Sequence, residues 1–131
     1  AELGLEVLVT WFGPEEKRMA EEVSAGGAAR PAPRTDLCEL AELLRRAALF
    51  AGSDTGPTHI AAATGTPTVA LFGPADAERN HPLGARVETL TAGLECSPCW
   101  RRSGCPRELE CMRSLTPQAV LDAARRLGVG R

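Results

Sequence analysis

The sequence holds no tyrosine and a single lysine, Lys17. No apolar run approaches the ~18 residues a membrane-spanning helix needs, which excludes a transmembrane segment. A basic excess is missing too. Fifteen Lys and Arg face 17 Asp and Glu, a net charge of −2, and this excludes general nucleic-acid affinity. No G-x-G-x-x-G follows the first strand-like segment, which disfavours a dinucleotide-binding dehydrogenase. Neither an internal repeat nor a low-complexity linker divides the 131 residues, the length of one domain. No basic-then-apolar leader opens the chain. It begins without Met, as a fragment of a longer protein would. The scarcity of lysine and tyrosine carries no functional reading.

What is present has the balance of a soluble globular domain, 44% hydrophobic and 24% charged. Charge divides along the chain. Residues 1–95 carry 8 basic and 14 acidic side chains, and residues 96–131 carry 7 and 3.

Alternation over Leu5–Trp11 predicts a strand. Glu15–Val23 predicts a helix with Met19, Ala20 and Val23 on one face, stopped by Gly26 and Gly27. Residues 28–34 hold two prolines and suit only a short edge strand or an extended crossing. Asp36 and Glu39 have the spacing of a capping box. The helix that follows carries Leu37, Leu40, Leu43, Leu44 and Ala47 on one face, and Cys38 reads as buried among them. Leu49–Gly52 predicts a short buried strand. Residues 53–56 form a loop, Pro57 to Thr64 a helix, and Thr66–Phe72 the clearest strand. A long loop over 73–84, a strand over Arg86–Thr91 and a final helix over 117–127, capped by Thr116, complete the reading. Strands alternating with helices are the signature of a parallel α/β sheet with helices on both faces.

The chemistry concentrates in Ser53-Asp54-Thr55-Gly56-Pro57-Thr58-His59, between a strand and a helix. A strand's carboxyl end meeting a helix N-terminus is where open α/β sheets bind ligands. The helix offers free N–H groups and partial positive charge, both suited to phosphate. Gly56 lets a ligand reach the backbone. Thr55 and Thr58 add hydroxyls, and His59 can meet a phosphate oxygen or a sugar hydroxyl. An ionised Asp54 only accepts, so it suits hydroxyls and repels phosphate. Such a set fits a ligand carrying both a diphosphate and a sugar. The plainer reading is that Asp54 and Thr55 merely cap the helix.

Read in full, the run DTGPTHIAAATGTPTVALFGP, residues 54–74, closely resembles the signature of the heptosyltransferase family. These are ADP-heptose:lipopolysaccharide glycosyltransferases of glycosyltransferase family 9. His81-Pro82-Leu83-Gly84 and the cysteine block ending Cys111-Met112 resemble the heptosyltransferase II branch. The likeness covers nearly the whole chain and is weakest over residues 1–35. It implies the Rossmann-like C-terminal, donor-binding half of a GT-B glycosyltransferase. The implied reaction transfers heptose from ADP-heptose to the lipopolysaccharide core, with no metal assisting, in the cytoplasm or at the inner face of the membrane. By resemblance Asp54 contacts the sugar, Thr55 and Gly56 hold the diphosphate through backbone N–H groups, and His59 shares the pocket. The Glu15-Glu16 pair resembles the family's acidic contact to the adenosine ribose. The family's catalytic base is an Asp of the N-terminal domain, so no catalytic residue is expected among these 131, and the chain alone is expected not to catalyse transfer.

Cys96, Cys99, Cys105 and Cys111 are spaced C-x2-C-x5-C-x5-C. A structural zinc, two disulfides and free thiols all stay open for them. Arg101, Arg102, Arg107 and Arg113 surround the block; they suit an acidic acceptor or membrane phosphates, though such arginines more often form a solvated face. Trp100 would stack on a sugar or pack over the cysteines, and His81 reads as a turn residue. Two rival functions remain. One is a GT-B-type nucleotide-sugar epimerase, which would prefer UDP; the other is a non-enzymatic, cysteine-stapled interaction module.

Overall fold

A computed structural model describes residues 2–101 and 103–130. The chain forms two compact units, residues up to Glu39 and residues from Leu40 onward.

In the first unit, β1 (Leu8–Val9) pairs in parallel with β2 (Arg30–Pro31), and α1 (Gly13–Ser24) connects them. The pairing is much shorter than the alternation over Leu5–Trp11 predicts. The partner limits it, because Pro31 and Pro33 have no N–H to give a ladder. Trp11 Nε1 donates to Ala32 O at 2.7 Å and ties the end of β1 to the segment after β2. Helix α1 starts at Gly13, two residues earlier than predicted, with Pro14 in its first turn. Only Ala20 is buried on it; Met19 and Val23, read as sharing its face, are exposed.

Helix α2 (Leu37–Arg46) opens with the predicted capping box. Glu39 N donates to Asp36 Oδ1 at 2.8 Å, and Asp36 N to Glu39 Oε2 at 2.9 Å. Leu44 is buried, but Leu37 and Cys38 are exposed, against expectation. Both stand in the first turn, and Cys38 lies off the face that Leu44 turns inward.

The second unit carries a three-stranded parallel sheet in the order β3 (Phe50–Ser53), β4 (Thr68–Phe72), β5 (Val87–Thr91). Phe50 pairs with Thr68, and Thr68 with Val87. The centre of this core is β4, where Val69, Ala70 and Phe72 are buried. The edge strand β3 alternates between partly buried and exposed residues rather than being buried throughout. Helix α3 (Gly56–Ala63) contributes Ala61 and Ala62, and α6 (Pro117–Arg126) contributes Ala123 and Ala124. Alanines let helices lie close to the sheet. Buried hydroxyls are bonded: Thr66 Oγ1 donates to Leu44 O at 2.6 Å, and Thr68 Oγ1 to Thr66 O at 2.8 Å.

Two segments read as loops carry short helices. Helix α4 (Ala77–Asn80) follows β4, with Asp76 accepting from Glu78 N and Arg79 N. Helix α5 (Glu110–Arg113) ends the cysteine block. Gly73 allows α5 to close on the end of β4, since a Cβ there would lie 2.6 Å from Met112 Sδ and 3.0 Å from Cys111 Sγ. All strands of this sheet run parallel, so the turns after β3 and β4 leave at the same edge.

Candidate functional site

At that edge, Ser53 ends β3 and Thr55 takes the N-cap position of α3 in extended conformation, with no side-chain cap. The helix N-terminus is therefore left open. Thr55 and Gly56 are exposed, and nothing lies within 4 Å of where a Cβ on Gly56 would stand. Pro57 has no N–H to satisfy in this turn. Thr58, expected to offer its hydroxyl, is buried and donates to Ser53 O at 2.5 Å. It fastens the turn to the strand instead.

Asp54 does not cap the helix through its side chain. Its Oδ1 accepts from His59 Nε2 at 3.2 Å, and its Oδ2 from Asn80 Nδ2 at 2.9 Å. The Asp54 side chain is 22% exposed and that of His59 45%. A carboxylate with one donor on each oxygen is fixed in its plane and still has acceptor capacity for a ligand. Asn80 was missed from sequence because it lies 26 residues away, in a segment read as loop. The one available signal was its place in the segment that follows β4, on the edge shared with Asp54.

The loop after β4 is braced by the cysteine block. Ser97 Oγ donates to Gly73 O, and the backbone N–H groups of Cys99 and Trp100 both donate to Pro74 O at 2.9 Å. Trp100 adopts a left-handed backbone, φ 57°, which costs roughly 1–2 kcal/mol in a non-glycine residue. Its half-exposed ring receives the Arg79 guanidinium at 5.5 Å from the centroid. So Trp100 packs against α4 rather than over the cysteines. His81 is a turn residue, as read, with Nδ1 bonded to Glu78 O at 2.9 Å.

All five cysteines are unpaired, and among the described residues no three His, Cys, Asp or Glu are gathered to hold a metal ion. Cys111 is buried. The Cys105 thiol is pushed below its ordinary range, first by the backbone N–H groups of Leu109 and Arg107, then by the charges of Arg101 and Arg107. Arg107 is paired with Glu110 at 2.7 Å and Arg113 with Glu108 at 3.0 Å, both exposed. That is a solvated face; Arg102 lies outside the described residues.

Glu15 and Glu16 belong to the first unit, in the first turn of α1. Glu16 Oε2 accepts from Phe12 N at 2.8 Å. Trp11, Phe12, Gly13, Pro14, Arg34 and Thr35 line a cleft of about 340 Å³ at this helix end. Lys17 Nζ lies 5.7 Å from the Trp11 ring centroid.

Comparison with known proteins gives a consistent result. The family model "Glycosyltransferase family 9 (heptosyltransferase)" matches residues 1–108. Lipooligosaccharide heptosyltransferase 2 of Campylobacter jejuni is 33% identical over 81 residues, 60% of this chain and 25% of that protein. Lipopolysaccharide heptosyltransferase 1 of Pseudomonas aeruginosa is 32% identical over 103 residues, 78% of this chain and 29% of that protein. The chain thus spans between a quarter and a third of the length of these relatives. The solved structure of E. coli heptosyltransferase WaaC with ADP superposes with a TM-score of 0.75 at 22% identity, covering 95% of this chain and 34% of that one. That likeness shows the fold, an α/β arrangement of parallel sheets and helices. Among the described residues no helix is long and apolar enough to cross a membrane.

Proposed function

The chain belongs to glycosyltransferase family 9, the heptosyltransferases, and we propose that it is the nucleotide-sugar-binding part of an enzyme that transfers heptose from ADP-heptose to a lipopolysaccharide core. The observation that carries this reading is the pairing of an open helix N-terminus with a fixed carboxylate on the residue just before its N-cap. Backbone N–H groups at Thr55 and Gly56 suit the diphosphate. Asp54, held by His59 and Asn80, suits the sugar hydroxyls and disfavours a phosphate in the same place. The heptosyltransferase names of the relatives, and the ADP with which WaaC was solved, support the same ligand class.

Chemically this part has a defined task. Neutralising a departing diphosphate stabilises the charge that grows as the glycosidic bond breaks, and a helix N-terminus does this without a metal. Fixing the sugar's hydroxyls orients its anomeric carbon toward an acceptor. No residue of this chain is assigned as the base.

Isothermal titration of the chain with ADP, UDP and ADP-heptose tests the proposal. ADP should bind more tightly than UDP, and ADP-heptose more tightly than ADP. Asp54→Ala should reduce ADP-heptose binding roughly tenfold, the worth of one hydrogen bond to a charged group, and leave ADP nearly unchanged. A preference for UDP would favour the epimerase instead. Equal loss of ADP and ADP-heptose in Asp54→Ala would remove the sugar contact.

A further inference from the structure

We infer that Asn80 is the positioning residue that aims Asp54 at the donor sugar, an inference that rests on Asp54 being the sugar contact. The two residues are 26 positions apart, yet Asn80 Nδ2 donates to Asp54 Oδ2 at 2.9 Å in a partly buried setting. His59 Nε2 takes the other oxygen, Oδ1, at 3.2 Å. A carboxylate held by one donor can still turn about its last bond. Held on both oxygens by two different elements, α3 and α4, it cannot. Each oxygen has about two acceptor sites, so one remains on each for a ligand hydroxyl.

Asn80 is itself held in place. Helix α4 is short, but Asp76 Oδ1 accepts from Glu78 N and Arg79 N at 2.9 and 3.1 Å, and Asn80 N donates to Asp76 O at 3.0 Å. Arg79, next to Asn80, lies against Trp100, whose backbone N–H is tied to Pro74 O. The cysteine block, which the proposed function leaves without a task, thereby braces the residue that orients Asp54.

The test measures ADP and ADP-heptose affinity for wild type, Asp54→Ala, Asn80→Ala, Asn80→Asp and Asn80→His, with circular dichroism and melting to confirm folding. Asn80→Asp keeps the shape but turns the donor into an acceptor facing Asp54. Asn80→His keeps an N–H donor. Asn80→Ala and Asn80→Asp should lose the preference for ADP-heptose over ADP, roughly a tenfold change, while ADP affinity stays within about twofold. Asn80→His should recover part of the preference. A merely structural role would weaken both ligands together, and that result overturns the inference. So does wild-type discrimination in Asn80→Asp. Failure of the underlying reading shows up without any change at position 80: wild type would not prefer ADP-heptose, or Asp54→Ala would keep the preference, and the inference would fall with it.

Discussion

Asp54 draws its two partners from five and 26 residues away, and the polarity of those partners decides what it can do. The His59 ring reaches Asp54, the carboxylate proposed to meet the sugar. His59→Ala should therefore weaken ADP-heptose more than ADP in a titration; a larger loss of ADP would put the ring on the diphosphate instead. Cys105 offers a second check. Two backbone N–H donors and two arginines favour its thiolate, so its alkylation by iodoacetamide should persist to lower pH in the folded chain than in urea, read by mass spectrometry of the labelled peptide. The same pH profile in both states would contradict a thiol pushed below its ordinary range. At this scale Asp54, Thr55, Gly56 and His59 could be singled out from sequence because they are nearly contiguous and the chemistry proposed for them is local. Sequence reading could not find Asn80, which meets Asp54 only because two parallel strands end at one edge. It also misjudged Thr58, since a threonine hydroxyl in a first turn either faces solvent or returns to the preceding strand, and composition does not say which.

Elements depend on caps, ion pairs and close approaches. Asp36→Ala removes the capping box of α2 and should cost about 1 kcal/mol in urea unfolding. At the other end of α2, Arg45 and Arg46 bond to Glu42 and lower its pKa from the usual 4.5 to about 2. A lowered folded pKa means the contribution is present above the unfolded pKa and is lost as pH falls through the folded one. The last turn of α2 should thus lose hydrogen-exchange protection between pH 4.5 and about 2, and Glu42→Gln should remove that dependence. Gly84 lies where the chain returns to β5; a Cβ there would stand 2.6 Å from the carbonyl oxygen of Ala62 in α3. The obstacle is backbone, so Gly84→Ala should destabilise the fold by about 1–3 kcal/mol, read as a lower urea midpoint with an unchanged slope. Caps and turn glycines were legible because their rules are local. The exposed faces of Met19, Val23, Leu37 and Cys38 were not, because periodicity shows that a face exists and only tertiary contacts show whether anything covers it.

For the whole molecule, the alternation of strand and helix carried the reading of a parallel α/β fold, and parallel pairing is found in both sheets. Strand length was overestimated where a partner is rich in proline, since a ladder is only as long as its weaker side. Parallel order also brings two distant loops together, so the proposed donor site at the edge where β3 and β4 end can be tested directly. The decisive measurement is a titration of the ¹⁵N-labelled chain with ADP-heptose, followed by amide chemical shifts, with UDP-glucose as the control. A donor site at this edge predicts saturable shifts clustered at Thr55, Gly56 and His59 and at the Asn80 side-chain amide, with little response to UDP-glucose. Shifts confined to the cysteine block, or none at millimolar ADP-heptose from a folded chain, would contradict it.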